Sequence, residues 1–124
     1  MTSNSFKPVL YVKENCPFCL KVRLFLLEAG LLDAVEIRAF APGSTREDEI
    51  RAELAGHIEK VSFPAAQVAP GEYLTDSDAI IARFAAKWQR DPAHLPVLQT
   101  YVEGPFKQLL RLWTENRELK AKVA

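Results

Sequence analysis

The only two cysteines of this chain lie three positions apart, in the Cys-Pro-Phe-Cys segment of residues 16–19. The apolar run Val9–Val12 precedes the segment, and a pattern typical of an amphipathic helix follows it. Proline is favoured at the first helical position, because it has no N–H group that would lack a partner there. The sequence therefore predicts a strand, then a helix with Cys16 as its N-cap, Pro17 as its first residue and Cys19 in its first turn.

This placement favours thiol chemistry. The unpaired N–H groups and the positive dipole end of a helix stabilise an anion, and a thiolate is the anion available here. A cysteine at a helix N-terminus in such a pair can have its pKa lowered from about 8.5 to roughly 3.5–7.5. The thiolate is the nucleophile of thiol–disulfide exchange, and a second cysteine can resolve the mixed disulfide. Cys16 is the candidate nucleophile and Cys19 the candidate resolving thiol.

Two other interpretations of the cysteine pair stay open. A pair with this spacing can be half of an all-cysteine zinc site, but such a site needs a second pair and the chain has none. His57 and His94 could complete a mixed site, although they lack the usual spacing of histidine ligands, and we expect no metal. A purely structural disulfide across so short a loop would contribute little chain entropy.

The rest of the chain predicts alternating strands and helices. The predicted strands are Val9–Val12 and residues 34–40, 63–68 and 72–74, and the predicted helices cover residues 17–29, a segment from about 45, and a segment capped by Asp76 and Ser77. A crossover helix implies that the first two strands are parallel, and the Pro-Gly turn at residues 70–71 implies an antiparallel hairpin. The predicted fold is a mixed four-stranded sheet flanked by helices. On the first helix, Lys21, Arg23 and Glu28 are expected on the solvated face.

A proline-punctuated break begins at Asp91, so we divide the chain into a domain of residues 1–91 and a helical extension of residues 92–124. Gly-Pro at 104–105 should interrupt or kink the extension. An apolar stripe follows, made of Phe106, Leu109, Leu110 and Trp113. A stripe this apolar should be covered. It would pack on the domain in a monomer, or against a second copy in a weak homodimer.

Composition limits the classes of function. The 124 residues carry 16 basic and 16 acidic side chains, a formal net charge of zero, which argues against a general nucleic-acid binder. No apolar run approaches the roughly 20 residues of a membrane span, so no membrane association is expected. The polar N-terminal residues lack the apolar core of a signal peptide, and we expect a reducing, cytoplasmic setting.

Four features together resemble the thioredoxin fold, and more closely the glutaredoxins and the N-terminal domain of glutathione transferases. A lysine precedes the cysteine motif, at Lys13, and the motif continues as Leu-Lys-Val-Arg over residues 20–23. Phe63-Pro64 lies where the family has a cis-proline, and Asp76-Ser77-Asp78-Ala79-Ile80 resembles the acidic-Ser-x-Ala-Ile signature. The resemblance covers about residues 8–90 and implies an α/β, thioredoxin-like fold.

The resemblance also implies glutathione lying across the edge of the sheet. The Phe63 backbone, before Pro64, would pair with the cysteinyl part of glutathione, while Asp76 and Ser77 would hold its γ-glutamyl end. Lys13 would lie near the glycyl carboxylate. The motif residues Pro17 and Phe18 complete the implied glutathione-binding set. The chain departs from the family pattern in the bulk of Phe63, since a small or β-branched residue is usual there.

The function implied is that of a glutathione-dependent thiol–disulfide oxidoreductase acting on protein or small-molecule disulfides. Two alternatives belong to other classes. The first is a module that binds glutathione, or a glutathione-ligated iron–sulfur cluster, without significant turnover. The second is a truncated, transferase-like protein, although only about 30 residues follow the break, enough for one or two helices.

Overall fold

A computed structural model describes residues 6–123 of the protein. The strands are β1 (Val9–Lys13), β2 (Glu36–Phe40), β3 (Ala65–Ala69) and β4 (Glu72–Leu74). The α-helices are α1 (Pro17–Glu28), α2 (Thr45–Ala55), α3 (Ser77–Trp88), α4 (Pro96–Tyr101) and α5 (Lys107–Val123). The first five residues, on which the expectation of no signal peptide depends, lie outside the described part of the chain.

The four strands form one mixed sheet in the order β2-β1-β3-β4. β1 pairs in parallel with β2 and antiparallel with β3, and β3 pairs antiparallel with β4. The α1 crossover places β2 parallel to β1, and the turn at Pro70-Gly71 forms the hairpin of β3 and β4. This arrangement confirms the predicted thioredoxin-like α/β fold with helices beside a four-stranded sheet.

β1 is the centre of the core because both of its faces are covered. On one face Leu10 and Val12 belong to an apolar cluster with α1 and α3. On the other face Tyr11 packs with Ile50 and Leu54 of α2. The continuous apolar character of this strand follows from burial on both sides, and it fixes the loop after Lys13 at one edge of the core.

α1 begins and ends as its sequence predicts. Pro17 occupies the first helical position after the Cys16 N-cap, and Gly30 adopts the left-handed φ of +75° just beyond the helix. The expectation for Lys21 is wrong, because its side chain is buried rather than solvated. Its ammonium group lies 2.7 Å from Asp78 Oδ1 and 4.6 Å from the centre of the Phe106 ring. The carboxylate and the aromatic face stabilise the ammonium group and so allow the side chain to be buried. Helix periodicity alone does not predict these two contacts.

The extension after α3 is anchored to α1 by a carboxylate. Both Glu28 oxygens accept hydrogen bonds at 2.8 Å, one from the Val97 N–H and one from the Leu98 N–H. The N-cap residue of α4 is Leu95, whose apolar side chain cannot accept a hydrogen bond. Glu28 of α1 therefore takes its place and accepts from the first N–H groups of α4. α4 then packs against α1 through the buried Leu98.

The predicted interruption at Gly104-Pro105 has a different form. Residues Val102–Phe106 form a π-helical turn that joins α4 to α5 without a break in the helical path. Pro105 has no N–H to donate, and the wider π turn accommodates its ring. Within the single chain the apolar stripe is covered only in part, and its complete burial stays a prediction. Phe106 is buried and Leu110 half-buried, whereas Leu109 and Trp113 remain exposed. Within the described residues no helix has the length and apolar character needed to cross a membrane.

Candidate active site

The two sulfurs lie where β1 passes into α1. Asn15 turns the chain with a left-handed φ of +62°, and Cys16 then takes an extended conformation as the N-cap. The Cys16 sulfur accepts a hydrogen bond from the Cys19 N–H at 3.4 Å. The Cys19 sulfur accepts one from the Lys13 N–H at 3.3 Å. Cys16 is partly exposed while Cys19 is buried, and neither is in a disulfide. The sulfur at the start of the helix is therefore the accessible one, and the second sulfur is enclosed by the protein.

The surroundings of Cys16 favour its thiolate. A hydrogen bond from the Cys19 thiol has the largest effect and, against the opposing effect of burial, helps to lower the pKa of Cys16 to about 6. The backbone N–H groups of Cys19 and Phe18 and the charge of Lys13 act in the same direction. The thiol and the N–H groups donate hydrogen bonds to the sulfur, and Lys13 places a positive charge near it. Each of these interactions stabilises the ionised form of Cys16.

The surroundings of Cys19 have the opposite effect. Its thiol donates to Cys16, which raises the pKa of Cys19, and burial raises it further. Cys19 therefore stays protonated while Cys16 carries the negative charge. The pair shares one ionisation, and the proton remains on the buried sulfur.

The extension supplies one wall of the site. The Tyr101 hydroxyl donates a 2.7 Å hydrogen bond to the Pro17 carbonyl oxygen at the start of α1. Burial and the neighbouring Cys16 thiolate raise the pKa of Tyr101, so its phenol stays a donor at neutral pH. A cleft of about 440 Å³ opens beside Cys16, with Tyr101, Leu109 and Leu20 among its lining residues.

The cis-proline expected from the resemblance is present at the same edge of the sheet. The Phe63–Pro64 peptide bond is cis. Because Tyr11 pairs with Ala65 in the antiparallel register, continuing that register places Phe63 and Pro64 beside the end of β1 that leads to Cys16. Within residues 6–123 no hydrogen bond engages the Phe63 backbone, which leaves an edge for an extended ligand.

The Phe63 side chain is directed into the protein. Its ring meets the Phe40 ring edge-on at 4.7 Å and lies 5.0 Å from the guanidinium carbon of Arg51. The bulk that departs from the family pattern is therefore accommodated by β2 and α2. The Phe18 ring is likewise engaged, at 5.1 Å from Phe106 and 6.1 Å from Trp113, so its backbone N–H is the part that acts on the sulfur.

Asp76 and Ser77 begin α3 at this same edge, because β4 runs parallel to β1 and leads into the helix. Asp76 is exposed and its carboxylate accepts the Asp78 N–H at 3.1 Å, while Ser77 is buried. Lys21 connects this end of α3 to α1 through its 2.7 Å contact with Asp78. The structure thus brings the ends of β1 and β4, the turn before β3 and the starts of α1 and α3 to one edge of the sheet.

The sequence alone did not identify three residues that line or support the site. Tyr101 is 84 positions from its partner Pro17, and no local motif marks it. Lys21 follows the motif closely, but its burial depends on Phe106 from the extension. Leu109 lines the cleft although it was assigned only to a packing stripe. In the described part of the chain, no three His, Cys, Asp or Glu side chains are grouped so that they could hold a metal ion.

Comparison with known proteins gives a consistent result. Residues 15–87 match the family model described as glutathione S-transferase, N-terminal domain. No curated protein matches the sequence. Among solved structures, a glutathione S-transferase from the Antarctic clam Laternula elliptica aligns over 70% of this chain with 20% identity and a TM-score of 0.53. At that identity the likeness concerns the fold.

A possible glutathione S-transferase from Rhodopseudomonas palustris has 28% identity over 65% of this chain, with a TM-score of 0.49. The alignments cover 37% of the clam protein and 40% of the bacterial one. The chain therefore spans well under half the length of these solved relatives.

Proposed function

The chain belongs to the family of glutathione S-transferase N-terminal domains, and on that premise we propose that it is a glutathione-dependent thiol–disulfide oxidoreductase. Cys16 is the nucleophile and Cys19 the resolving thiol. The observation that carries the proposal is the Cys16 sulfur at the start of α1, with the Cys19 N–H donating to it and its pKa lowered to about 6. Such a group is largely thiolate at neutral pH and partly exposed, as a reactive cysteine must be.

The first step with a glutathione mixed disulfide is attack of the Cys16 thiolate on the glutathione sulfur. The Cys16–glutathione bond forms, the original disulfide bond breaks, and the other thiol leaves as a thiolate that takes a proton from water. A second glutathione thiolate then attacks the sulfur of the bound glutathione. Oxidised glutathione leaves and the Cys16 thiolate is restored. One free glutathione is consumed in each turnover, because the other half of the oxidised glutathione comes from the mixed disulfide itself.

A protein disulfide takes the dithiol route. Cys16 attacks one sulfur of the substrate and forms a mixed disulfide with it. The negative charge that kept Cys19 protonated is then gone, so its pKa falls toward that of an ordinary thiol. Cys19 loses its proton and attacks the Cys16 sulfur, which releases the reduced substrate and closes the Cys16–Cys19 disulfide. Glutathione then reduces that disulfide in two exchange steps.

Glutathione is proposed to lie along the edge of the sheet described above. The unengaged Phe63 backbone before Pro64 supports pairing with the cysteinyl part, as in the addition of a strand. Asp76 would pair with the γ-glutamyl ammonium and the start of α3 at Ser77 with its carboxylate. Lys13 would attract the glycyl carboxylate. The proposed compartment is the cytoplasm, where glutathione is abundant and thiols are kept reduced.

One observation favours a second candidate, the transfer of glutathione to an apolar electrophile. The cleft beside Cys16 has apolar walls at Leu20 and Leu109 and a hydroxyl at Tyr101. In that case Cys16 would be dispensable for the transfer itself, because the sulfur of bound glutathione would attack the electrophile. The two candidates are therefore separable by a Cys16 variant.

The experiment measures turnover of the mixed disulfide of glutathione and 2-mercaptoethanol, with and without free glutathione. We expect turnover by the wild type only with free glutathione, no turnover by Cys16→Ser, and most of the activity in Cys19→Ser. Reduction of a disulfide-bonded peptide should require both cysteines. If the wild type turns over neither substrate, the oxidoreductase proposal is wrong. Glutathione binding by calorimetry and the iron content of the purified protein then test the binding-module alternative.

A further inference from the structure

Cys16 borders a cleft that lies apart from the edge proposed for glutathione. The cleft has a volume of about 440 Å³, and its lining residues include Leu20 and Arg23 of α1 and Tyr101 and Leu109 of the extension. Among the described residues, neither the turn before β3 nor the start of α3 lines it. A mixed disulfide has two halves, so when its glutathione half lies on the edge of the sheet, the other half has this cleft beside it.

The α1 residues of the cleft form a line that begins at the reactive sulfur. Cys16, Leu20 and Arg23 are at positions i, i+4 and i+7, so they lie on one face of the helix, one turn apart. Leu20 is 45% exposed. At the helical rise per residue, Arg23 is about 10 Å along the axis from Cys16. A ligand that extends from the sulfur in this direction meets first an apolar side chain and then a guanidinium group.

The Arg23 guanidinium has no acidic partner within residues 6–123, and its side chain is exposed. Arg51 and Arg83, by contrast, each form an ion pair with a carboxylate of the same chain. Glu14 also lines the cleft, but it lies in the loop that precedes α1, at the end remote from Arg23. The guanidinium is therefore available to a carboxylate from outside the chain, and arginine is the residue best suited to bind one with two hydrogen bonds.

We propose that the cleft binds the peptide half of a glutathione mixed disulfide and selects peptides with an acidic side chain near the disulfide-bonded cysteine, with Arg23 as the specificity-determining residue. The inference rests on the proposed oxidoreductase function and names the substrate class of that site. An extended peptide spans about 3.3 Å per residue, so the distance from Cys16 to Arg23 corresponds to about three residues. Because helical side chains tilt toward the N-terminus, the carboxylate should lie two or three residues from the substrate cysteine, with an apolar residue over Leu20.

The reaction determines how this selectivity would be measured. The Cys16 thiolate attacks the glutathione sulfur, the Cys16–glutathione bond forms as the disulfide bond breaks, and the peptide cysteine leaves as a thiolate that takes a proton from water. The carboxylate of the peptide is remote from the reacting sulfurs, so its pairing with Arg23 is equally strong before and during the reaction. Its contribution should therefore appear in KM and not in kcat.

The test compares two peptides, each supplied as a mixed disulfide with glutathione. Both have a central cysteine flanked by leucine and then glycine, and they end on both sides in glutamate or in glutamine, so that either direction of binding is covered. The wild-type KM should be about three- to tenfold lower for the glutamate peptide, and this ratio should fall at high ionic strength. Arg23→Gln should have the same KM for both peptides, and Arg23→Glu should favour a peptide ending in lysine over the glutamate peptide.

Arg117→Gln is the matched control, because Arg117 is also exposed and lines a separate groove between α5 and Phe18. It makes the same change in net charge and should keep the wild-type preference. An Arg23→Gln protein that loses affinity for free glutathione instead of the glutamate peptide would assign Arg23 to the glycyl carboxylate and overturn the proposal.

Two results separate this inference from the function on which it rests. A wild type that turns over the 2-mercaptoethanol mixed disulfide but treats the two peptides alike overturns the selectivity and leaves the oxidoreductase function in place. A preference for glutamate that survives in Arg23→Gln likewise overturns the role of Arg23. A wild type that turns over neither the 2-mercaptoethanol substrate nor the peptides overturns both proposals.

Discussion

The ion pair between Lys21 and Asp78 is buried at one end only, and this asymmetry determines which substitution destabilises the fold more. The two groups are 2.7 Å apart, yet the Lys21 side chain is 7% exposed and the Asp78 side chain 81% exposed. Removing the carboxylate leaves a nearly buried ammonium group without its charged partner. Removing the ammonium group leaves a carboxylate that water already surrounds.

The expected magnitudes follow from that difference. A buried charged group that loses its partner costs about 1–3 kcal/mol or more. Because Asp78 is largely exposed, water takes over part of its role, and the Phe106 ring at 4.6 Å also supports the cation. We expect Asp78→Asn to lower the free energy of unfolding by roughly 1–2 kcal/mol. Lys21→Met keeps the unbranched stem and removes the charge, so it should cost less than about 1 kcal/mol.

The assay is urea denaturation of both single variants and the double variant, with the slope m compared to confirm a common unfolding transition. Asp78 also lies in the first turn of α3, where a carboxylate contributes about 0.3–1 kcal/mol through the helix dipole. Asp78→Asn in the Lys21→Met background measures that contribution alone. The reasoning is refuted if Lys21→Met costs as much as Asp78→Asn, or if Asp78→Asn costs the same in both backgrounds.

Substitutions at three further residues test other contacts of the fold and of the site. Glu28→Ala should cost about 1 kcal/mol by removing the cap of α4, with Glu28→Gln intermediate, and an unchanged thermal midpoint would show that α4 needs no such cap. Tyr101→Phe removes the hydrogen bond to the Pro17 carbonyl and should cost about 0.5–1.5 kcal/mol in urea denaturation. Stability equal to the wild type would contradict a bond of that strength. Asp76→Ala should weaken glutathione binding, measured by calorimetry, and Asp76→Asn should weaken it as much while keeping the cap. Wild-type affinity in the Asn variant would leave Asp76 with a structural role only.

The parts of the fold that were predictable from sequence depend on neighbouring residues. The apolar run of β1, proline at the first position of α1 and Gly30 after its end are local signals, and each has the predicted outcome. The position of Cys16 as N-cap followed from Pro17 alone. The sheet followed from connection lengths, because a crossover helix and a tight turn leave little choice of strand direction.

The parts that were not predictable depend on contacts between distant segments. Lys21 is buried because its ammonium group contacts Asp78 and the Phe106 ring. The periodicity of α1 predicts neither contact. Tyr101 reaches Pro17 only because α4 docks on α1. The apolar stripe of the extension was recognisable from its spacing. The exposure of Leu109 and Trp113 depends on how the extension packs against α1, which no local pattern predicts.

The most direct test of the central claim is the pH dependence of Cys16 alkylation. The reduced protein is treated briefly with iodoacetamide at each pH, and peptide mapping assigns the label to Cys16 or Cys19. Since only the thiolate reacts, the rate at Cys16 should rise with pH through a midpoint near 6, while Cys19 stays unlabelled. At pH 7 about 90% of Cys16 would then be thiolate, against about 3% for an ordinary cysteine of pKa about 8.5. Cys19→Ala, which removes the largest stabilising hydrogen bond, should move the midpoint upward. A wild-type midpoint near 8.5 would contradict an activated Cys16 and the oxidoreductase mechanism with it.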